Sequence, residues 1–180
     1  TILWNHRWEY DKNPELFFDM MKKIKDKKFD FNLIVIGESF GNSPKIFDKA
    51  KIEFDKQIIK WGYQKSIEDY IDCLFMCDII PVTSNHDFFG ISVMEAVFCN
   101  VWPILPDRLS YEELFKNKGH TENIYTNDNQ LMIKIEAAIK NIDQIRNQSV
   151  KKVAQKYDWK KLVRVYDSKF EKITLQNNLR

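Results

Sequence analysis

Residues 85–100 read NHDFFGISVMEAVFCN, and the fold follows from what flanks them. Ahead of them runs Asp78-Ile79-Ile80-Pro81-Val82-Thr83, with the composition of a buried strand. Gly90 falls where loop must become helix, and the remainder carries a helical apolar face. A strand, a glycine turn and a helix N-terminus make an anion site, because the first N–H groups of a helix lack partners. Asp87 and Glu95 bracket the turn with seven residues between them. Such corners recur throughout α/β proteins, so the stretch alone fits two incidental acids at a buried corner equally well.

The same alternation extends in both directions. Ile2-Leu3-Trp4 reads as a strand, and Asn13-Pro14-Glu15 as a helix start with an N-cap, a first-turn proline and an early acid. Leu16, Phe17, Met20, Met21 and Ile24 then form an apolar helical stripe. Leu33-Ile34-Val35-Ile36-Gly37 is apolar throughout, the mark of a parallel strand covered on both faces. A second helix is expected after Ser43-Pro44, a third strand at residues 57–62, and a third helix capped by Ser66 with Tyr70, Leu74 and Cys77 on its apolar side. Beyond residue 100 come a fifth strand (101–106), a short helix from Ser110 and a sixth strand at Asn123-Ile124-Tyr125. A long helix from Asn127-Asp128 carrying Leu131, Ile135, Ala138, Ile139 and Ile142 follows, then a helical region after Ser149. A last helix is capped by Asp158, with Trp159, Leu162, Val163, Tyr166, Phe170 and Ile173 on one side. This order predicts an α/β fold: a Rossmann-like, doubly wound parallel sheet of about six strands. Ligands on such sheets bind at the carboxyl ends of the strands.

Composition narrows the class. At 180 residues, 44% apolar and 14% aromatic, the chain can pack one domain and is not disordered. A net charge of +2 gives no global pull toward nucleic acid or membrane, and the lysines at 22, 23, 25, 27 and 28 read as a solvated helix face. Cys73, Cys77 and Cys99 form no C-x-x-C pair and have no histidine near enough for zinc, so reduced thiols in a cytoplasmic protein are expected. No run of 18 apolar residues is present, and no signal peptide is expected from the opening residues. A strand begins almost at Thr1, which suggests an excised fragment.

Several polar groups converge on the strand ends: Arg7 and Lys12, Glu38, Tyr63 to Ser66, and Asp87 to Gly90. Arg7 and Lys12, five apart and facing a helix N-terminus, suit a diphosphate; they equally suit salt bridges to Glu9 and Asp11. Glu95 can accept two sugar hydroxyls, or stand as a helix-surface acid. His6 and His86 lie in loops at the same edge, where contact with phosphate and a structural role are both open, and His120 reads as a loop residue. The missing G-x-G-x-x-G and G-x-x-x-x-G-K-[ST] patterns argue against an ordinary dinucleotide fold and a phosphate-loop NTPase.

Asp87 and Glu95 with Phe89-Gly90 between them resemble the E-x7-E signature of retaining glycosyltransferases with the two-domain GT-B fold, and Arg7 and Lys12 match that family's R-x4-K pair. The blocks from Trp4 to Glu15, Gly37-Glu38-Ser39-Phe40, Trp61-Gly62-Tyr63 and His86-Asp87-Phe88-Phe89-Gly90 resemble more narrowly the tRNA-queuosine mannosyltransferase branch. The resemblance implies the C-terminal, donor-binding half of such an enzyme, with residues 1–157 as the nucleotide-sugar domain. Residues 158–180 would be a helix packing toward an N-terminal domain that this chain lacks. By the same resemblance Arg7 and Lys12 hold the donor diphosphate with the N–H groups of Phe89, Gly90 and Ile91. Glu95 then binds ribose, Asp87 the transferred sugar, and Tyr63, Gln64 and Ser66 lie against the base. The implied donor is GDP-mannose, the acceptor queuosine in a tRNA, and no metal or cofactor takes part. Alternatives are a glycan or lipid acceptor with another nucleotide-sugar, and a non-catalytic nucleotide-binding module. The chain departs from the family pattern at Asp87, one methylene shorter than glutamate, and at Asn100 in place of a turn glycine.

Overall fold

The computed structural model describes residues 1–177, with side chains described through residue 174. Six parallel strands, β1 (Ile2–Trp4), β2 (Leu33–Ile36), β3 (Ile58–Gly62), β4 (Ile79–Pro81), β5 (Trp102–Pro106) and β6 (Ile124–Tyr125), form one sheet in the order β3-β2-β1-β4-β5-β6. The strand order reverses direction between β1 and β4, which opens a crevice at their carboxyl ends.

Alternation within the central strands sends neighbours to opposite faces. Leu3, Ile34, Ile80 and Val82 pack on one side against α3 (Ile67–Phe75), α4 (Ile91–Phe98) and α8 (Lys151–Gln155). Ile2, Trp4, Leu33, Val35 and Ile79 pack on the other against α1 (Pro14–Asp26), α2 (Ile46–Glu53) and α6 (Asp128–Lys140). That second core is rich in aromatics: Trp4 lies 5.1 Å from Phe17 edge-on, and Phe47 stacks on Trp8 at 4.3 Å. Both faces of the central strands are therefore covered, as their unbroken apolar sequences require.

The helix starts follow the caps read from sequence. Asn13, Ser66 and Asn127 each accept the N–H three residues on, from Leu16, Asp69 and Gln130. The expectation of one helix running through Ile142 is corrected. α6 ends at Lys140, where the Asn141 amide and N–H both bond the Ala137 carbonyl, and Ile142 opens the separate α7 (Ile142–Asn147). Asn100 adopts φ 68° and closes α4, its side chain bonding the Gln148 carbonyl and the Val150 N–H. A short helix α5 (Tyr111–Leu114) follows β5, and α9 (Trp159–Asn177) ends the described chain. Residues 178–180 of the expected last helix lie outside the described residues. Trp159, Tyr166, Phe170 and Ile173 are exposed on α9, so that helix face has no partner among the described residues.

Candidate functional site

The site is built where β1 and β4 diverge. Gly37 sets its geometry, because at φ 149° a Cβ there would sit 2.1 Å from the His6 carbonyl oxygen. With no side chain at residue 37, the β2 turn closes directly on the loop after β1, and the Trp8 N–H bonds the Glu38 carbonyl. The loop carries Asn5, His6, Arg7, Asp11 and Lys12 into a cleft of about 360 Å³, faced by His86 to Ser92 from the α4 side.

Lys12 is the cation at its floor. Its side chain is only 10% exposed, and its Nζ donates to the His86 carbonyl at 2.7 Å. The same nitrogen lies 3.2 Å from Asp11 and 3.9 Å from Asp87. Arg7 stands at the rim, exposed and paired with Glu9 at 3.1 Å. Both salt bridges that the spacing allowed thus form, but burial separates the two cations: Lys12 is fixed inside the cleft, whereas Arg7 can turn toward a ligand at the cost of an exposed pair worth little.

Asp87 ties the loop together. Its Oδ1 accepts the Gly90 N–H at 2.9 Å and its Oδ2 accepts the Tyr111 hydroxyl at 3.3 Å. Gly90 has φ 76°, and a Cβ there would lie 2.8 Å from that same hydroxyl. With the Gly90 N–H taken by Asp87, the Phe89 and Ile91 N–H groups on either side of it are among the donors of this stretch without an acceptor among the described residues. They flank the start of α4 in the cleft that holds Lys12, where the helix N-terminus adds a partial positive charge. His6 is buried here, its Nδ1 lying 3.2 Å from the Ser92 hydroxyl, and desolvation lowers its pKa from 6.5 to about 4. The imidazole is therefore neutral. His86 is exposed near Phe88, and His120 lies apart from the cleft beside Glu122.

A second cleft of about 290 Å³ adjoins the ends of β2 and β3, lined by Gly37, Glu38, Tyr63, Gln64, Ser66 and Tyr70 among others. Tyr63 is 65% exposed, Gln64 folds onto the Gly62 carbonyl, and the Ser66 hydroxyl is occupied as the cap of α3. Glu95 projects from α4 and accepts the Tyr70 hydroxyl at 2.7 Å.

Sequence reasoning missed three contributors. Tyr70 reads as part of an apolar stripe; Asn5 and Arg108 carry no local signal. Arg108 holds the post-β4 loop through the carbonyls of Thr83 and Ser84. The three cysteines are free thiols, two of them buried, and burial raises the pKa of each. Among the described residues no group of three metal-ligating side chains gathers, and no helix is long and apolar enough to cross a membrane.

The profile described as "Glycosyl transferases group 1" matches residues 1–161. Over 134 residues the chain is 34% identical to a tRNA-queuosine alpha-mannosyltransferase of Drosophila melanogaster, covering 74% of this chain and 34% of that protein. It is 25% identical over 180 residues to a probable sucrose-phosphate synthase of Thermosipho melanesiensis, covering 95% and 41%. The chain therefore spans between about a third and two fifths of the length of these curated relatives. Among solved structures, sucrose-phosphate synthase from Thermosynechococcus elongatus superposes with a TM-score of 0.75 at 14% identity, over 97% of this chain and 46% of that one. Anabaena HepE in complex with UDP superposes at 0.68 and 16%, over 96% and 48%. At these identities the two structures attest the fold.

Proposed function

This chain belongs to the group 1 glycosyl transferases, and on that premise we propose that it is the donor-binding half of a retaining GT-B enzyme that transfers mannose from GDP-mannose to queuosine in a tRNA. The observation that carries the donor site is the buried Lys12 ammonium set against the free N–H groups at the start of α4. Lys12, joined by Arg7 once it leaves Glu9, neutralises the departing diphosphate without a metal. Phe89 and Ile91 donate backbone N–H groups to it. Glu95 accepts the ribose hydroxyls, Asp87 holds the transferred sugar, and Tyr63, Gln64 and Ser66 face the base across the second cleft.

Likeness to a tRNA-modifying mannosyltransferase supports the acceptor and a cytoplasmic location. Charge also supports an RNA acceptor: residues 151–172 carry eight lysines and arginines against three acids, and most of those cations are exposed. The lysines near the end of α1 are different, since Lys23, Lys25 and Lys27 are paired with Asp19, Glu53 and Glu136. The exposed apolar face of α9 packs in this reading on the N-terminal half, and the present chain alone binds nucleotide without transferring sugar. One observation favours a second reading, a module that binds nucleotide but does no chemistry: both Asp87 oxygens already have partners within the protein.

Titration calorimetry of the full-length protein with GDP, UDP and ADP tests the donor site. GDP is expected to bind most tightly and to weaken in Arg7→Ala. Absence of binding by all three nucleotides would refute it.

A further inference from the structure

The hydrogen bonds of Tyr70 are left over when the donor contacts have been assigned. Asn5, buried at the end of β1, donates through Nδ2 to the Ser92 carbonyl in the first turn of α4 at 2.7 Å and to the Tyr70 hydroxyl at 3.3 Å. The Tyr70 hydroxyl donates in turn to Glu95 Oε2 at 2.7 Å. One amide thus links β1, α3 and α4. Because the phenol accepts from Asn5, its proton is directed at the carboxylate. Burial and the nearby carboxylate push the Tyr70 pKa well above its ordinary value, so that the proton stays in place.

The location is informative. Asn5 and Ser92 line the cleft that holds Lys12, whereas Tyr70 lines the second cleft with Tyr63, Gln64 and Ser66. Asn5 and Tyr70 therefore join a cation-floored cleft to a cleft suited to a base, and Tyr70 holds the Glu95 carboxylate between the two, where the sugar joining a base to a diphosphate belongs. Glu95 is exposed, and an exposed glutamate samples many rotamers unless something selects one. A short charge-assisted bond does so. It occupies one of about four acceptor positions on the carboxylate, leaving capacity for two hydroxyls.

We propose that Tyr70, oriented by Asn5, is a positioning residue that fixes the Glu95 carboxylate for two-point recognition of a vicinal diol, the 2′- and 3′-hydroxyls of a nucleoside diphosphate. The proposal rests on the ribose-binding reading of Glu95. Its specific consequence is that the tyrosine hydroxyl governs discrimination between ribose and a sugar lacking the diol, without touching the ligand itself.

The test is calorimetry on the full-length protein with GDP and 2′,3′-dideoxy-GDP. The dideoxy analogue loses the charge-assisted hydrogen bonds to the carboxylate, and a preference for GDP of roughly 10–100-fold is expected in the wild type. Tyr70→Phe, which removes one atom and keeps the ring, should weaken GDP about tenfold, leave the dideoxy analogue unchanged and so compress the ratio about tenfold. Thermal unfolding checks that the variant is folded. If it is not, Asn5→Ser retains the tyrosine while removing the amide that orients it, and should compress the ratio by a smaller factor. A full preference for GDP in Tyr70→Phe, together with its loss in Glu95→Ala, overturns the proposal and keeps the ribose reading. A preference untouched by Glu95→Ala overturns the ribose reading itself. Equal weakening of both ligands by Tyr70→Phe would reduce Tyr70 to a pin between helices and also overturn the proposal.

Discussion

Lys12→Met removes an ammonium that serves the loop and the donor at once, and the two effects separate by measurement. Methionine matches the unbranched apolar stem, so the packing around the side chain is largely kept. The loop loses the bond from Nζ to the His86 carbonyl at 2.7 Å, and Asp87, 14% exposed, loses its nearby cation at 3.9 Å. A hydrogen bond from a charged donor contributes about 1.5–3 kcal/mol, offset in part because no ammonium has to be desolvated; the net loss is about 1–3 kcal/mol. For a chain of this size that lowers the melting temperature by roughly 2–12 °C. Loss of one charge-assisted contact to the diphosphate removes about 1.5–3 kcal/mol of binding, which raises the Kd for GDP roughly 10–150-fold. Guanosine has no phosphates, and its affinity should not change. The assay is calorimetry with GDP and guanosine on the full-length protein, after denaturation curves establish the folded fraction. A folded Lys12→Met protein that binds GDP within twofold of wild type refutes the assignment of this cleft to a diphosphate.

Two further expectations concern the contact between the β2 turn and the loop after β1. Gly37→Ala places a Cβ 2.1 Å from the His6 carbonyl at φ 149°, so strain and overpacking together should destabilise by about 2–5 kcal/mol in urea titrations. A loss under about 1 kcal/mol would mean that the contact relaxes freely. His6 links stability to pH. Burial holds its folded pKa at about 4 against 6.5 for an ordinary imidazole, so the unfolded chain binds the extra proton first as pH falls. The contribution is complete above about pH 6.5 and declines toward pH 4, by up to roughly 3 kcal/mol. His6→Gln should flatten that part of the stability–pH curve, and an unchanged slope would show that other groups carry it.

Local signals made most of the fold legible. Uninterrupted apolar runs identify β1 and β2, and Asn13, Ser66 and Asn127 cap the helices that they precede. The break between α6 and α7 was not legible, because apolar spacing continues through Ile142 while the interruption comes from the Asn141 amide on the Ala137 carbonyl. The site was legible in part. Arg7 and Lys12 look alike in sequence, each within two residues of an acid, and only the folded loop buries one and leaves the other at the rim. Tyr70 sits at helical spacing like any core residue, yet its hydroxyl reaches a partner 25 positions away, and Asn5 joins Ser92 across 87. Contacts at such separations depend on the strand order, which spacing along the chain does not encode.

The most direct measurement is mannosyl transfer by the full-length protein, with labelled GDP-mannose and a queuosine-containing tRNA. α-Linked mannose is expected on queuosine with the wild type and none with Asp87→Ala, which still binds GDP. No transfer to that tRNA by an enzyme that binds GDP-mannose contradicts the proposed reaction, and an unchanged rate in Asp87→Ala removes this carboxylate from it.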